Sequence, residues 1–96
     1  MKGPAYSVIT TSHFDRLMKK LASKHPGLTE RFEEAISILS GDPYNRSGRY
    51  AIRKLENVPA GEGQYRLRSG RFRFRYDIEA REVVLHYCGL RREDTY

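Results

Sequence analysis

The sequence predicts an α+β fold in which two N-terminal antiparallel helices pack on a small, mostly antiparallel twisted sheet, in the order β-α-α-β-β-β. Three observations carry this expectation. Apolar residues recur at helical spacing between positions 14 and 39, and at strand spacing between 65 and 78. Short segments bearing Gly or Pro separate these blocks. A chain of 96 residues, 39% apolar and 31% charged, fits one domain over 1–96 with a single core.

Tyr6-Ser7-Val8-Ile9-Thr10-Thr11 is β-branched and aromatic, and predicts a first strand. Ser12, with Asp15 three residues on, has the form of a helix start. Phe14, Leu17, Met18, Leu21 and Ala22 then recur as one face of an amphipathic helix. Lys19, Lys20 and Lys24 suit its C-terminal end, and His25-Pro26-Gly27 stops it. Thr29 begins a second helix, with Phe32, Ala35, Ile36 and Leu39 as its inner stripe and Gly41-Asp42-Pro43 as its end. The short connection predicts that the two run antiparallel.

Residues 42–50 form a polar, basic loop, Ala51 to Leu55 a short strand, and Asn57 to Gly63 another loop. From there the period becomes two. Tyr65, Leu67, Phe72, Phe74, Tyr76 and Ile78 fall on one face, and Arg66, Arg68, Arg71, Arg73 and Arg75 on the other. Ser69-Gly70 is the expected hairpin turn, which would set Arg68 against Arg71, Arg66 against Arg73 and Leu67 against Phe72. Glu82 to Cys88 is a last strand after a turn at Glu79-Ala80-Arg81, and Gly89 to Tyr96 a charged tail.

The charge is unevenly placed. Net charge is +6, yet residues 1–45 hold six basic against five acidic side chains, and residues 46–75 nine against two. Eight of those nine are arginine, whose planar fork matches phosphate. A local basic excess of this kind predicts a polyanionic partner, nucleic acid before membrane. Like charges opposed across strands cost about 0.2–1 kcal/mol per pair, so an anion is expected to offset the repulsion. The aromatic face, by contrast, is expected to be core and not a platform for bases.

Several other chemistries find no support. One cysteine excludes an internal disulfide framework and a Cys-x-x-Cys site, and the composition fits a reducing cytosol. No apolar run exceeds three residues, so no membrane-spanning helix is expected, and Met1-Lys2-Gly3-Pro4 lacks the apolar stretch of a leader. His13, His25 and His86 show no ligand spacing, so no metal is expected. His86, sharing a face with Val84 and Cys88, is expected to be structural, and Cys88 a small buried hydrophobe. Gly61-Glu62-Gly63 lacks a third glycine at phosphate-cradle spacing and is read as a loop.

With this element order and hairpin, the sequence resembles the RelE/ParE superfamily of toxin–antitoxin toxins over nearly its whole length. The resemblance rests on Asp42-Pro43 after the second helix, on Arg53-Lys54-Leu55, on Tyr65 through Ile78, and on the Gly89-Leu90-Arg91-Arg92-Glu93-Asp94-Thr95-Tyr96 ending. In its RelE branch it implies a cytoplasmic, ribosome-dependent mRNA endoribonuclease that needs no metal or other cofactor and cuts RNA by 2′-hydroxyl attack. Carried over by position, the catalytic residues would be Arg66, Arg68, Arg73, Arg91 and Tyr96. Arg46, Arg49, Arg53, Lys54, Arg71, Arg75 and Arg92 would contact RNA. Arginine stands at 66 and 68 where that branch often has lysine. Leu90 replaces a common histidine, removing one acid/base candidate, and the tail is slightly longer. The implied partners are the ribosome, mRNA and a cognate antitoxin with an acidic segment. The alternatives are a ParE-like DNA gyrase inhibitor without nuclease activity and a non-catalytic RNA-binding module.

Arginine neutralises charge but is no base, its pKa lying above about 12. Tyr96 is therefore the acid/base candidate left among the five, with Lys54 as a further proton donor. Tyr96 could equally stack on a base and orient it.

Overall fold

Thr11 starts the helical part of the chain: its hydroxyl accepts the Phe14 amide at 3.0 Å, leaving one fewer orphan donor in the first turn. The cap is thus Thr11 and not Ser12, which is already helical. The computed structural model describes residues 5–90, and the elements and contacts are those among these residues. Its elements are β1 Ser7–Thr10, α1 Ser12–Ala22, α2 Leu28–Gly41, β2 Ile52–Lys54, β3 Tyr65–Ser69, β4 Phe72–Glu79 and β5 Glu82–Leu90. Arg91, Arg92 and Tyr96 lie outside the described residues.

The five strands form one sheet in the order β1-β5-β4-β3-β2. β1 runs parallel to β5, and every other pair is antiparallel. Both helices pack on one face, so the expected α+β architecture is what the chain adopts, with the element order β-α-α-β-β-β-β, one strand more than the expected order names. Phe14 from α1 and Leu28, Ala35 and Leu39 from α2 meet Leu67, Phe72, Phe74, Tyr76, Val83, Leu85 and Cys88 from the sheet, all of them buried. Each large apolar side chain hidden this way contributes about 1.5–3 kcal/mol. The aromatic face is core from Leu67 to Tyr76, as its period-two spacing implies, with Tyr65 and Ile78 half-buried at its margins. Leu28 extends the α2 stripe by one turn because the helix begins one residue before Thr29.

Two registers differ from the sequence reading. Ser69 pairs with Phe72, so the two-residue turn is Gly70-Arg71 and not Ser69-Gly70. The cause is backbone sterics: Gly70 takes φ +61°, which a glycine at the first turn position reaches without strain. The opposed pairs become Arg68/Arg73, Arg66/Arg75 and Leu67/Phe74, and Arg71 leaves the strand face for the turn. In β5, Tyr87 pairs with Arg75 but Leu85 with Tyr76, which leaves His86 as the extra residue of a bulge. The bulge inverts the alternation. Val84 sits opposite Asp77 on the outer face, and Cys88 opposite Phe74 on the helix face. The strand also continues past Cys88 to Leu90, so Gly89 and Leu90 belong to the sheet.

Candidate nucleic-acid interface

The sheet face turned away from the helices carries the arginines. Two cross-strand rows follow from the pairing. Arg53, Arg66, Arg75 and Tyr87 are successive neighbours across β2, β3, β4 and β5, and Arg68, Arg73 and Gly89 form the adjacent row. Five guanidinium groups therefore share one face because Leu67, Phe74 and Tyr76 must occupy the other. Arg53 and Arg68 are exposed, Arg66 and Arg75 half-buried, and Arg73 is only 9% exposed. Arg73 thus lies at the floor and Arg53 and Arg68 at the rim.

Asp77 closes one end of this face. It is 3% exposed. Its Oδ2 accepts the Gly61 and Gly63 amides at 2.8 and 3.1 Å, and its Oδ1 the Gln64 amide at 2.9 Å. His86 Nε2, carried outward by the bulge, lies 2.9 Å from the same Oδ2. A buried carboxylate with this many partners is well compensated, and it folds the 56–63 segment back over the sheet. That segment in turn fixes an arginine: Gly63 O accepts both Nε and Nη2 of Arg75, each at 3.1 Å. The Gly61 and Gly63 amides serve the chain's own carboxylate and the Glu62 amide donates to the Pro59 carbonyl, so this loop is no phosphate cradle. His86 is held by Asp77 from the bulge and does not share a face with Cys88 as expected.

Gly89 admits a second feature. A Cβ there would collide with the Tyr87 ring and hydroxyl, so the phenol leans along β5 over Gly89, in the same cross-strand row as Arg73. A hydroxyl beside guanidinium groups can donate to a non-bridging phosphate oxygen. Spacing in the sequence singles out neither Asp77 nor Tyr87. The available signal was an acid in the next slot of the Arg73/Arg75 alternation, and a glycine two residues beyond a tyrosine in a strand.

The remaining candidates go elsewhere. Arg71 is in the hairpin turn, where it lines a recess of about 350 Å³ with Lys24, His25 and Arg31. Lys54 pairs with Tyr65 on the helix side of the sheet, its ammonium 5.7 Å from the Tyr65 ring centroid. Arg46 and Arg49 sit on the 42–50 loop, over Tyr44 at 5.1 Å and Tyr50 at 5.7 Å. The arginine face therefore gathers Arg53, Arg66, Arg68, Arg73 and Arg75, and does not include Arg46, Arg49, Lys54 or Arg71. Among the described residues no three His, Cys, Asp or Glu side chains are gathered as metal ligands. No helix there is long and apolar enough to cross a membrane.

No family model and no curated protein matches the chain. Among solved structures it is similar to the crystal structure of the archaeal RelE–RelB complex from Pyrococcus horikoshii OT3, at 23% identity and a TM-score of 0.67, over 93% of this chain and 98% of that one. The likeness establishes a shared fold.

Proposed function

We propose that this chain is the toxin of a toxin–antitoxin pair and acts on mRNA at the ribosome as an endoribonuclease. The single observation that carries the reading is the in-register arginine face, set on a fold like that of RelE. Three strands hold arginines in direct opposition, an arrangement that a phosphodiester would complement. The fold likeness to a protein solved together with RelB supports an antitoxin partner for this chain as well. An acidic antitoxin segment would complement the same face, and the site of action would be cytoplasmic, where ribosomes are.

The chemistry follows from what guanidinium groups do. The 2′-oxygen attacks the adjacent phosphorus and the bond to the 5′-oxygen breaks. A 2′,3′-cyclic phosphate forms, and the 5′-oxygen leaves with a proton. Arg73 at the floor, with Arg66 and Arg68 beside it, is placed to take the charge that develops on the non-bridging oxygens, and its buried setting strengthens that interaction. Arg53 and Arg75 position the flanking backbone. By sequence position Arg91 and Tyr96 join the reaction from the C-terminal segment, Tyr96 as proton carrier or as a stacking ring.

The test is induction of the chain with and without Arg68→Ala or Arg73→Ala, following translation-dependent mRNA cleavage and growth. Each substitution should reduce cleavage at least about 100-fold, as losing one oxyanion donor does, while circular dichroism stays unchanged. Full cleavage by both variants would overturn the nuclease reading. Intact mRNA with altered plasmid supercoiling would point to a gyrase-directed toxin.

A further inference from the structure

We propose a second RNA-binding surface on the opposite side of the sheet edge, formed by Tyr44, Tyr65, Arg46, Arg49 and Lys54. It would take the single-stranded RNA that runs on from the arginine face. The inference rests on the RNA reading above and extends it.

Four tyrosines touch in series. Tyr6 meets Tyr44 edge-on at 6.3 Å, Tyr44 meets Tyr65 edge-on at 5.9 Å, and Tyr65 stacks on Tyr76 at 5.5 Å. The inner end of the series is core. Tyr44, second in the series after the half-buried Tyr6, is 41% exposed. Cations are interleaved with these rings: Arg46 lies 5.1 Å from the Tyr44 centroid and Lys54 5.7 Å from that of Tyr65. Residues 43–55 include Arg46, Arg49, Arg53 and Lys54 and no acid. Rings alternating with cations suit bases and their phosphates together. An acidic peptide would use the cations but leave the exposed ring without a role.

The surface is built, not incidental to a loose loop. Asp42 accepts the Arg46 and Ser47 amides at 2.8 and 3.1 Å and the Ser47 hydroxyl at 2.7 Å. The Asn45 side chain exchanges two bonds with the Tyr50 backbone, at 2.9 and 3.1 Å. These contacts set Arg46 and Arg49 in place before any ligand arrives. Continuity with the first site comes from β2, the edge strand. Arg53 points into the arginine row with Arg66, and the next residue, Lys54, points to the tyrosine side with Tyr65. A strand leaving the arginine face over this edge meets Lys54, Tyr65 and Tyr44 in turn.

The test is binding of fluorescent 2′-O-methyl oligoribonucleotides, which lack the attacking hydroxyl, in a tetranucleotide and a form about twelve nucleotides long. The wild-type chain should bind the longer form more tightly. Tyr44→Ala should weaken the longer form about tenfold, the loss of one stacked base, and leave the tetranucleotide unchanged. Tyr44→Phe should restore it. Combining Arg46→Gln and Arg49→Gln should reduce the slope of log affinity against log salt by roughly 1.4, two single-strand phosphate contacts, whereas Tyr44→Ala should leave the slope alone. Arg68→Ala should weaken both lengths alike. Wild-type affinity for the longer form in Tyr44→Ala and in the double variant would overturn the second surface while sparing the arginine face. Failure of the wild-type chain to bind the longer form more tightly than the tetranucleotide would likewise overturn the second surface.

Discussion

Asp77 shows how much of this site depends on one side chain. Its carboxylate holds three loop amides and His86, and the same loop holds Arg75. Replacing it with alanine strands those donors, so Asp77→Ala should cost about 3 kcal/mol, read as a lower urea midpoint. Hydrogen exchange at Gly61, Gly63 and Gln64 should rise before the core opens. Asp42 makes a pH-dependent contribution. Burial acts to raise its pKa, but the Ser47 hydroxyl and the Arg46 and Ser47 amides outweigh it and hold the carboxyl below its ordinary 3.8. A carboxyl lowered on folding stabilises fully above that ordinary value, and the contribution fades as pH falls through the lower folded one. Protection of the Arg46 and Ser47 amides, taken relative to their intrinsic exchange rates, should therefore fall below about pH 4. Cys88 behaves oppositely to a reactive thiol: burial pushes it up to about 12. A thiol reagent at neutral pH should label it only as fast as the protein unfolds.

At the scale of elements, caps and turns decide where each piece begins. Thr11→Ala should cost about 1 kcal/mol in thermal stability, and Ser12→Ala far less, because Thr11 carries the cap. The β4–β5 turn places Ala80 at φ +54° between the paired Glu79 and Glu82, a region that a side chain enters at about 1–2 kcal/mol. Ala80→Gly relieves that strain against a smaller loss in chain entropy, and should raise the melting temperature by about 2–5 °C. The other hairpin already has its glycine. Helix stripes and strand alternation were legible in the sequence because each is a local periodicity that burial enforces. The turn at Gly70-Arg71 was not, since Ser69-Gly70 and Gly70-Arg71 both satisfy composition and only the Ser69–Phe72 pairing selects between them. Ser69 Oγ also donates to Glu34 on α2 at 3.0 Å, a long-range contact that fits the strand end it occupies. The His86 bulge was equally hidden, because His-Tyr-Cys alternates plausibly whether or not one residue is skipped.

For the whole molecule, the proposed nuclease role would set stability against function. Arg68 is exposed and directly opposed to Arg73, so Arg68→Thr should stabilise the free protein by about 0.2–1 kcal/mol while lowering mRNA cleavage. Denaturant melts and cleavage measured on the same preparation check both halves, and a variant that is both less stable and fully active would contradict them. The sequence by itself determined the fold class, the separation of apolar from basic residues, and the concentration of arginine in the second half. These follow from composition and from periods of 3.6 and two, which any short window displays. The tertiary structure alone decided which cations share a face. Strand register puts Arg53, Arg66, Arg68, Arg73 and Arg75 on one face, and sends neighbouring Lys54 to the other side. The physical reason is that a shared face is a property of pairing between strands, and that the carboxylate closing this one is bound by amides 13 to 16 residues away. No local pattern encodes contacts of that separation.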